Sequence, residues 1–203
     1  MSESAREEIA ALMRAMEAQP LHVTHVTQLA LQLFDNLIPL HGLGERERLI
    51  LEAAGYLHDI GHQFDYLKTG HHKESARMIR EHPWKGFSRL EADLIAQVAR
   101  YHRKSIPKMK HEEFAMLSPD DRLLVQRLAA LLRIADALDR THEQHITRVT
   151  ADVLADRLIF HLEATGSVLR EVATAYIKGD LAREVFQREL VFMAGEEVIK
   201  PQL

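Results

Sequence analysis

Apolar residues recur at helical spacing through most of the chain. In residues 21–38 they return every three or four positions, and the same spacing runs through residues 45–57. Such a pattern places the apolar side chains on one face of a helix, and that face has to be buried. Helix start signals, in which a serine precedes an acidic first turn, follow at Ser88 and Ser118. The pattern predicts a helical domain in residues 1–145.

The pattern changes after residue 145. Three short segments are rich in β-branched or alternating apolar residues and predict strands: 147–150, 158–162 and 190–193. Two helical segments, 168–177 and 181–186, lie between the second and third of these strands. The fold class is therefore predicted to be mainly α. A small α+β unit with three short antiparallel strands, residues 146–203, is expected to pack on the helical domain.

Composition narrows the range of functions. The 203 residues carry a net charge of -4, which argues against a general nucleic-acid binder. No apolar stretch reaches the ~18 residues that a membrane span needs, so we expect a cytoplasmic protein. The chain has no cysteine, which excludes disulfides, thiolate catalysis and zinc–thiolate sites. It has 13 histidines, and their positions indicate the chemistry.

One histidine stands next to an aspartate at the end of a predicted helix. His58 and Asp59 follow the apolar pattern of residues 45–57, and Gly61 comes directly after Ile60. A glycine at this position lets the chain turn, so both side chains can leave the helix end toward one point. A neutral imidazole and a carboxylate together suit a divalent transition metal.

Further imidazoles and carboxylates interrupt or border apolar helix faces: His25, His71, His72, His102 and Asp136. Asp136 lies four residues after Leu132 on an otherwise apolar face, where a charge needs a partner. Taken singly, each histidine is explained as a hydrogen-bonded core residue, and Asp136 as a partner of Arg133 or Arg140. Their joint occurrence in one helical scaffold favours a shared metal site.

The order His, His-Asp, His, His, Asp on helices resembles the HD superfamily of metal-dependent phosphohydrolases. Several segments are also similar to the C-terminal half of exopolyphosphatase/guanosine pentaphosphate phosphatase family proteins: 29–35, 57–62, 71–73, 100–104, 132–140 and 179–186. That family's polyphosphate chemistry resides in an N-terminal actin-like half, which has no counterpart in these residues. Many of its members have an eroded HD site, whereas every ligand position is filled here.

The resemblance implies a centre of two divalent metal ions, with Mn, Fe, Mg, Ni and Zn all open. One ion would be bound by His25, His58, Asp59 and Asp136. Asp59 would bridge to a second ion, held also by His102 and by His71 or His72. The small residues Ser75 and Ala76 after the histidine pair favour His71, whereas the adjoining lysine favours His72.

The resemblance also implies a mechanism in which two ions share a hydroxide that attacks a phosphoryl group. Asp59, His62 and Lys104 are the predicted catalytic residues, with His62 as a general acid or as a hydrogen-bond partner of a ligand. Four basic residues are predicted to neutralise substrate phosphate: Arg103, Lys104, Lys73 and Arg140. Each of these has a simpler explanation as a solvated surface charge, and His62 as an exposed loop histidine.

Three functions follow as hypotheses. The first is a metal-dependent phosphohydrolase that acts on a small phosphorylated substrate, either a phosphate ester or a phosphoanhydride of nucleotide-like or polyphosphate-like character. The second is a regulatory module that binds nucleotides or polyphosphate without hydrolysing them. The third is a di-iron oxygenase, because some HD proteins use similar ligands for oxygen chemistry. A homodimer is compatible with the amphipathic first helix.

Overall fold

The computed structural model describes residues 2–17, 19–64 and 70–200. Within these residues the first part of the chain is helical, with a 3-10 helix at His62–Phe64 between the fourth and fifth α-helices. The helices are α1 (Ser2–Met16), α2 (Pro20–Asn36), α3 (Ile38–His41), α4 (Glu45–Leu57), α5 (His71–Glu81), α6 (Arg89–Arg100), α7 (Glu112–Ala115) and α8 (Pro119–Ala137).

The two predicted helix starts are confirmed. The Ser88 hydroxyl accepts from the backbone N–H of Glu91 at 3.3 Å, and the Glu91 carboxylate accepts from the backbone N–H of Ser88 at 2.8 Å. The Ser118 hydroxyl accepts from the backbone N–H of Asp121 at 3.1 Å. These bonds satisfy N–H groups that have no partner within the first turn. They therefore fix the starts of α6 and α8, the helices that lead to His102 and to Asp136.

The second part forms a four-stranded sheet with two helices. Its elements are β1 (Ile146–Val153), β2 (Arg157–Ala164), α9 (Leu169–Lys178), α10 (Asp180–Phe186), β3 (Glu189–Ala194) and β4 (Glu197–Val198). The strand order is β1-β2-β3-β4. β1 and β2 are antiparallel, as are β3 and β4, whereas β2 and β3 are parallel. The predicted mainly α fold with a small α+β unit is confirmed.

The prediction of three antiparallel strands is wrong in two respects. β2 and β3 are parallel, and the sheet contains a fourth strand, β4. α9 and α10 lie between β2 and β3 and return the chain to the same end of the sheet, so the two strands run in the same direction. Phe160 of β2 is paired with Phe192 of β3, and their rings stack at 5.1 Å. β4 is too short for an alternating pattern to be visible in the sequence.

The sheet is joined to the helices through α2. The side-chain oxygen of Gln32 accepts from the backbone N–H of Val149 at 2.8 Å, and that of Asn36 accepts from Ala151 at 3.2 Å. β1 is an edge strand, so these amides cover N–H groups that would otherwise be open to pairing. α9 and α10 in turn pack against α8. The boundary near residue 145 stays a prediction.

Within the residues that the structure describes, no helix is both long and apolar enough to cross a bilayer. The apolar face of α2 is instead buried against α4 and α8.

Candidate metal centre

Six imidazole and carboxylate side chains from five separate segments meet between α2, α4, α5, α6 and α8. They are His22, His58, Asp59, His71, His102 and Asp136. Most of them lie at helix ends, and α8 brings in Asp136 close to its last residue. The cluster is therefore assembled from long-range contacts between helix ends that are fixed by the core.

Gly61 brings the segment after α4 into contact with α5. The backbone N–H of Gly61 donates to the Ser75 hydroxyl at 2.9 Å. A Cβ at position 61 would lie 2.4 Å from the Ser75 nitrogen and 2.7 Å from the His71 carbonyl oxygen, closer than atoms can approach. Only glycine at 61 and a small residue at 75 permit this approach. It places Asp59 beside His71.

The two oxygens of Asp59 face different partners. Oδ1 lies 3.1 Å from Nε2 of His71 and 3.5 Å from Nε2 of His102. Oδ2 lies 3.8 Å from Nε2 of His58. Oδ1 of Asp59 and Nε2 of His58 are buried and have no well-directed hydrogen bond in the described part of the chain. Asp59 thus stands between two groups of imidazoles with one oxygen toward each.

Asp136 closes the other side of the cluster. Its Oδ1 lies 3.5 Å from Nε2 of His22 and 4.0 Å from Nε2 of His58. Its Oδ2 pairs with the ammonium group of Lys178 at the end of α9. Arg133, which the sequence offered as a partner for Asp136, pairs with Asp180 instead. A residue of the C-terminal unit therefore reaches the centre.

Two imidazoles are held by backbone carbonyl groups with Nε2 toward the carboxylates. Nδ1 of His58 lies 2.7 Å from the carbonyl oxygen of Gly55, and Nδ1 of His102 lies 2.7 Å from that of Ala99. A carbonyl oxygen only accepts, so each Nδ1 carries the proton and, in the neutral imidazole, each Nε2 keeps its lone pair. This orientation, with Nδ1 donating outward, is the one that metal-bound histidines usually have.

The pKa shifts favour ionised carboxylates at Asp59 and Asp136 and a neutral imidazole at His102. Burial would raise the pKa of Asp59, but the imidazoles of His58, His71 and His102 outweigh it and hold the pKa well below its usual range. Burial would also raise the pKa of Asp136, but the nearby Lys178 ammonium outweighs burial and holds that pKa well below its usual range. Burial lowers the pKa of His102. Ionised carboxylates and neutral imidazole are the forms that bind metals.

His22 is the exception to the neutral state. Burial alone would lower the pKa of His22, but its hydrogen bonds with Asp136 and Asp139 outweigh burial and raise the pKa to about 9. The ring of His142 stacks on it at 3.8 Å. A divalent ion bound at Nε2 would have to displace this proton, so binding there would release a proton at neutral pH.

His25, the predicted ligand from α2, lies outside the cluster, and His22 takes that position. Three residues along a helix correspond to a rotation about 60° short of a full turn, so the two rings point in different directions. His22 lies in register with the fully buried Val26 and Leu29, whereas His25 is only half-buried. Burial lowers the pKa of His25, and its Nε2 has no hydrogen-bond partner among the described residues.

Of the two adjacent histidines, only His71 belongs to the cluster. The His72 ring lies 6.1 Å from the ring of His71 and 6.4 Å from that of His102, and its donor atoms fall outside the group that His71 forms with Asp59 and His102. Burial, assisted by the nearby charges of His71 and Lys104, lowers the pKa of His72 to about 4. His72 is thus a neutral buried side chain beside the centre.

An open cavity of about 480 Å³ adjoins the centre and is lined by cationic side chains. Three of the four predicted phosphate-binding residues lie on its wall: Arg103, Lys104 and Arg140. Lys73 does not line it and is exposed on α5. His62 lies on the wall, with its ring 4.9 Å from that of His71. A guanidinium nitrogen of Arg103 lies 2.9 Å from Nε2 of His71.

Besides His22, sequence reasoning missed three residues of this site. Asp139 bonds to His22, His142 stacks on it, and Lys178 pairs with Asp136. The position of Asp139, three residues after Asp136 and so on the same side of the chain, was a usable signal. His142 and Lys178 follow from tertiary packing and have no local signal.

The fold and the site together define a mainly helical protein with a buried histidine–aspartate cluster beside a basic cavity. The sequence pattern of "Ppx/GppA phosphatase, domain III" matches residues 6–185, and the chain belongs to this family. The family resemblance predicted from the motifs is thereby confirmed. Membership of the HD superfamily stays a prediction.

Several curated relatives share one name. The chain is 28% identical over 141 residues to guanosine-5'-triphosphate,3'-diphosphate pyrophosphatase of Vibrio vulnificus, covering 68% of this chain and 27% of that protein. It is 25% identical over 165 residues to the Photobacterium profundum protein of the same name, covering 80% and 32%. The Pseudoalteromonas translucida protein is 34% identical over 86 residues, covering 42% and 16%. The chain spans about a third or less of the length of these relatives.

Proposed function

We propose that this chain is an HD-type, metal-dependent phosphohydrolase. It cleaves a phosphate ester or phosphoanhydride of a small, nucleotide-like or polyphosphate-like substrate. The observation that carries the proposal is the set of imidazoles whose Nδ1 atoms are anchored outward while their Nε2 atoms converge on two buried carboxylates. The name of the relatives, a pyrophosphatase of a phosphorylated guanosine, supports a phosphate substrate.

The donor set fits two divalent ions. The donor atoms form two groups that share Asp59, one with His22 and His58 and the other with His71 and His102. Within each group the atoms lie within 4.8 Å of one another. Donors bound to one ion at about 2.1 Å lie roughly 3–4 Å apart, so each group needs only a small contraction. Asp136 is a further donor on the side of His22 and His58.

When bound, such ions would lower the pKa of a water molecule and supply a hydroxide for attack on phosphorus. The protein's own residues then have distinct parts. Arg103, Lys104 and Arg140 on the cavity wall would neutralise phosphate oxygens. His62 on the same wall would donate a proton to the leaving group. Asp59, which belongs to both donor groups, would help to hold both ions.

The test combines metal analysis with turnover. The purified protein would be analysed for Mn, Fe, Mg, Ni and Zn by mass spectrometry, and assayed on phosphate esters, nucleotides, pyrophosphate and polyphosphate. Asp59→Asn and His58→Ala should lose bound metal and turnover, whereas His161→Ala, on the exposed face of β2, should retain both. Turnover that survives in Asp59→Asn, or that persists after chelation, would overturn the proposal. Iron with oxygen-dependent turnover would indicate the oxygenase instead.

A second candidate function is a regulatory module that binds a phosphorylated ligand without hydrolysing it. Two basic side chains contact residues of the proposed metal site: Lys178 pairs with Asp136, and Arg103 lies against His71. The Lys178 ammonium thus offsets the negative charge of Asp136, as a metal ion would. Pyrophosphate binding that is unchanged by chelation, together with no turnover of any substrate, would support this function over the first.

A further inference from the structure

A buried arginine on α8 connects two segments that line the cavity. Arg133 is 3% exposed and uses all three guanidinium nitrogens. Nε donates to the carbonyl oxygen of Lys178 at 3.0 Å, and Nη2 to the carboxylate of Asp180 at 2.8 Å. Nη1 donates to the carbonyl oxygens of Tyr101 at 3.0 Å and Lys104 at 3.3 Å. One side chain therefore joins residues 101–104 to the junction of α9 and α10.

Both of these segments carry site residues. Residues 101–104 include His102, a candidate ligand, and the phosphate candidates Arg103 and Lys104. Lys104 has a φ of 56°, a left-handed conformation that is unfavourable for a non-glycine residue. The bond from Arg133 to the Lys104 carbonyl helps to hold this conformation. The other segment ends α9 with Lys178, which also lines the cavity.

Lys178 is a cation in direct contact with one of the proposed ligand carboxylates. It is half-buried, lines the cavity, and has Asp136 as its ion-pair partner. An ammonium that shares this carboxylate with a divalent ion is repelled by the ion. The anion next available to it, on the cavity side, is the phosphate of a substrate.

We propose that Lys178 is a substrate phosphate-binding residue of this site and that Arg133 is the positioning residue for both cationic segments, residues 101–104 and the α9–α10 junction. This inference rests on the proposed function. It makes the α9–α10 junction part of the active site, because a phosphate bound in the cavity contacts Lys178 as well as Arg103 or Lys104.

The experiment compares four variants with one control. Lys178→Met removes the ammonium and Lys178→Arg keeps a cation. Arg133→Lys keeps a charge but cannot reach all four acceptors, and Asp180→Asn weakens one bond at an exposed partner. The matched control is Arg127→Met, on the same helix, whose side chain bonds only to the His41 carbonyl oxygen in the described structure. Each is assayed for KM, kcat, Tm and manganese affinity.

We expect Lys178→Met to raise KM tenfold or more without weakening manganese binding, and Lys178→Arg to restore most of the loss. Arg133→Lys should raise KM and lower kcat, with Asp180→Asn in the same direction by a smaller factor, while Arg127→Met changes neither. A KM for Lys178→Met within twofold of wild type would overturn the role of Lys178. Changes in Tm alone in both Arg133→Lys and Asp180→Asn would overturn positioning.

Inorganic pyrophosphate binding, measured by calorimetry with and without Mn²⁺, separates this inference from the proposed function. If wild type binds pyrophosphate but turns over nothing, the hydrolase proposal fails. The inference then stands only if Lys178→Met and Arg133→Lys weaken pyrophosphate binding tenfold or more while Arg127→Met does not. A wild-type protein that neither binds nor hydrolyses phosphate compounds overturns both.

Discussion

Asp139 holds His22 in place through a hydrogen bond of 2.7 Å between its Oδ2 and Nδ1 of the imidazole. Asp139 is 1% exposed, and its other oxygen accepts from the backbone N–H of Gln144 at 2.9 Å. The carboxylate therefore cannot easily rotate, and Nε2 of His22 is directed toward Asp136. A histidine with a carboxylate behind it and an anionic site in front is the arrangement that orients metal ligands in many enzymes.

Asp139→Ala should weaken metal binding at the His22 side by about 10- to 100-fold, because the imidazole loses its orienting acceptor. The measurement is Mn²⁺ and Zn²⁺ affinity by titration calorimetry. The matched control is Asp152→Ala, which breaks an exposed aspartate–histidine pair of 2.8 Å with His161 on the sheet. Equal affinities in the two variants would show that Asp139 has no part in metal binding.

His22→Ala and His25→Ala should differ in metal content and turnover, although the two residues are only three positions apart. His22→Ala removes a donor atom from the group with His58 and Asp59, so we expect about one metal ion fewer per chain and no turnover. His25→Ala leaves that group intact and should keep metal content and kcat close to wild type. The measurement is metal per chain after dialysis. A loss of metal in His25→Ala alone would reverse the assignment.

These two histidines show where sequence reasoning reached its limit. His58-Asp59 was identifiable because it ends an apolar helix pattern, and Asp136 because it interrupts one. On α2, however, both histidines border the buried face. The choice depends on helix register against α4 and α8, in which His22 continues the buried row of Val26 and Leu29. That register is a tertiary property.

The same distinction applies to the fold. The helix starts at Ser88 and Ser118 were predictable because their hydrogen bonds are local. The parallel pairing of β2 with β3 was not, because it depends on how α9 and α10 pack back on α8. Lys178 reaches Asp136 through that same packing. The C-terminal unit thus supplies Lys178, a residue of the site that the sequence did not reveal.

Lys104→Gln and Lys73→Gln should differ in substrate affinity. Lys104 lines the cavity and Lys73 does not, although both are exposed and both were predicted to contact phosphate. Loss of one charge-assisted contact costs about 1–2 kcal/mol, so KM should rise roughly 5- to 30-fold for Lys104→Gln. Lys73→Gln should stay within twofold of wild type. Steady-state kinetics at several salt concentrations provides the measurement, and a larger effect from Lys73→Gln would place the substrate outside the cavity.

Gly61→Ala should disrupt the pairing of Asp59 with His71. The added Cβ would lie 2.4 Å from the Ser75 nitrogen and 2.7 Å from the His71 carbonyl oxygen, both backbone atoms that cannot swing aside. Overpacking of this kind typically costs about 1–3 kcal/mol, and here it would also separate Asp59 from α5. We expect a lower Tm and loss of the metal ion held by Asp59, His71 and His102. Gly44→Ala is the control, because its Cβ would meet only a Glu47 side-chain oxygen at an ordinary 3.5 Å. If Gly61→Ala matched Gly44→Ala in both Tm and metal content, the close approach of the two segments could not be what assembles this side of the site.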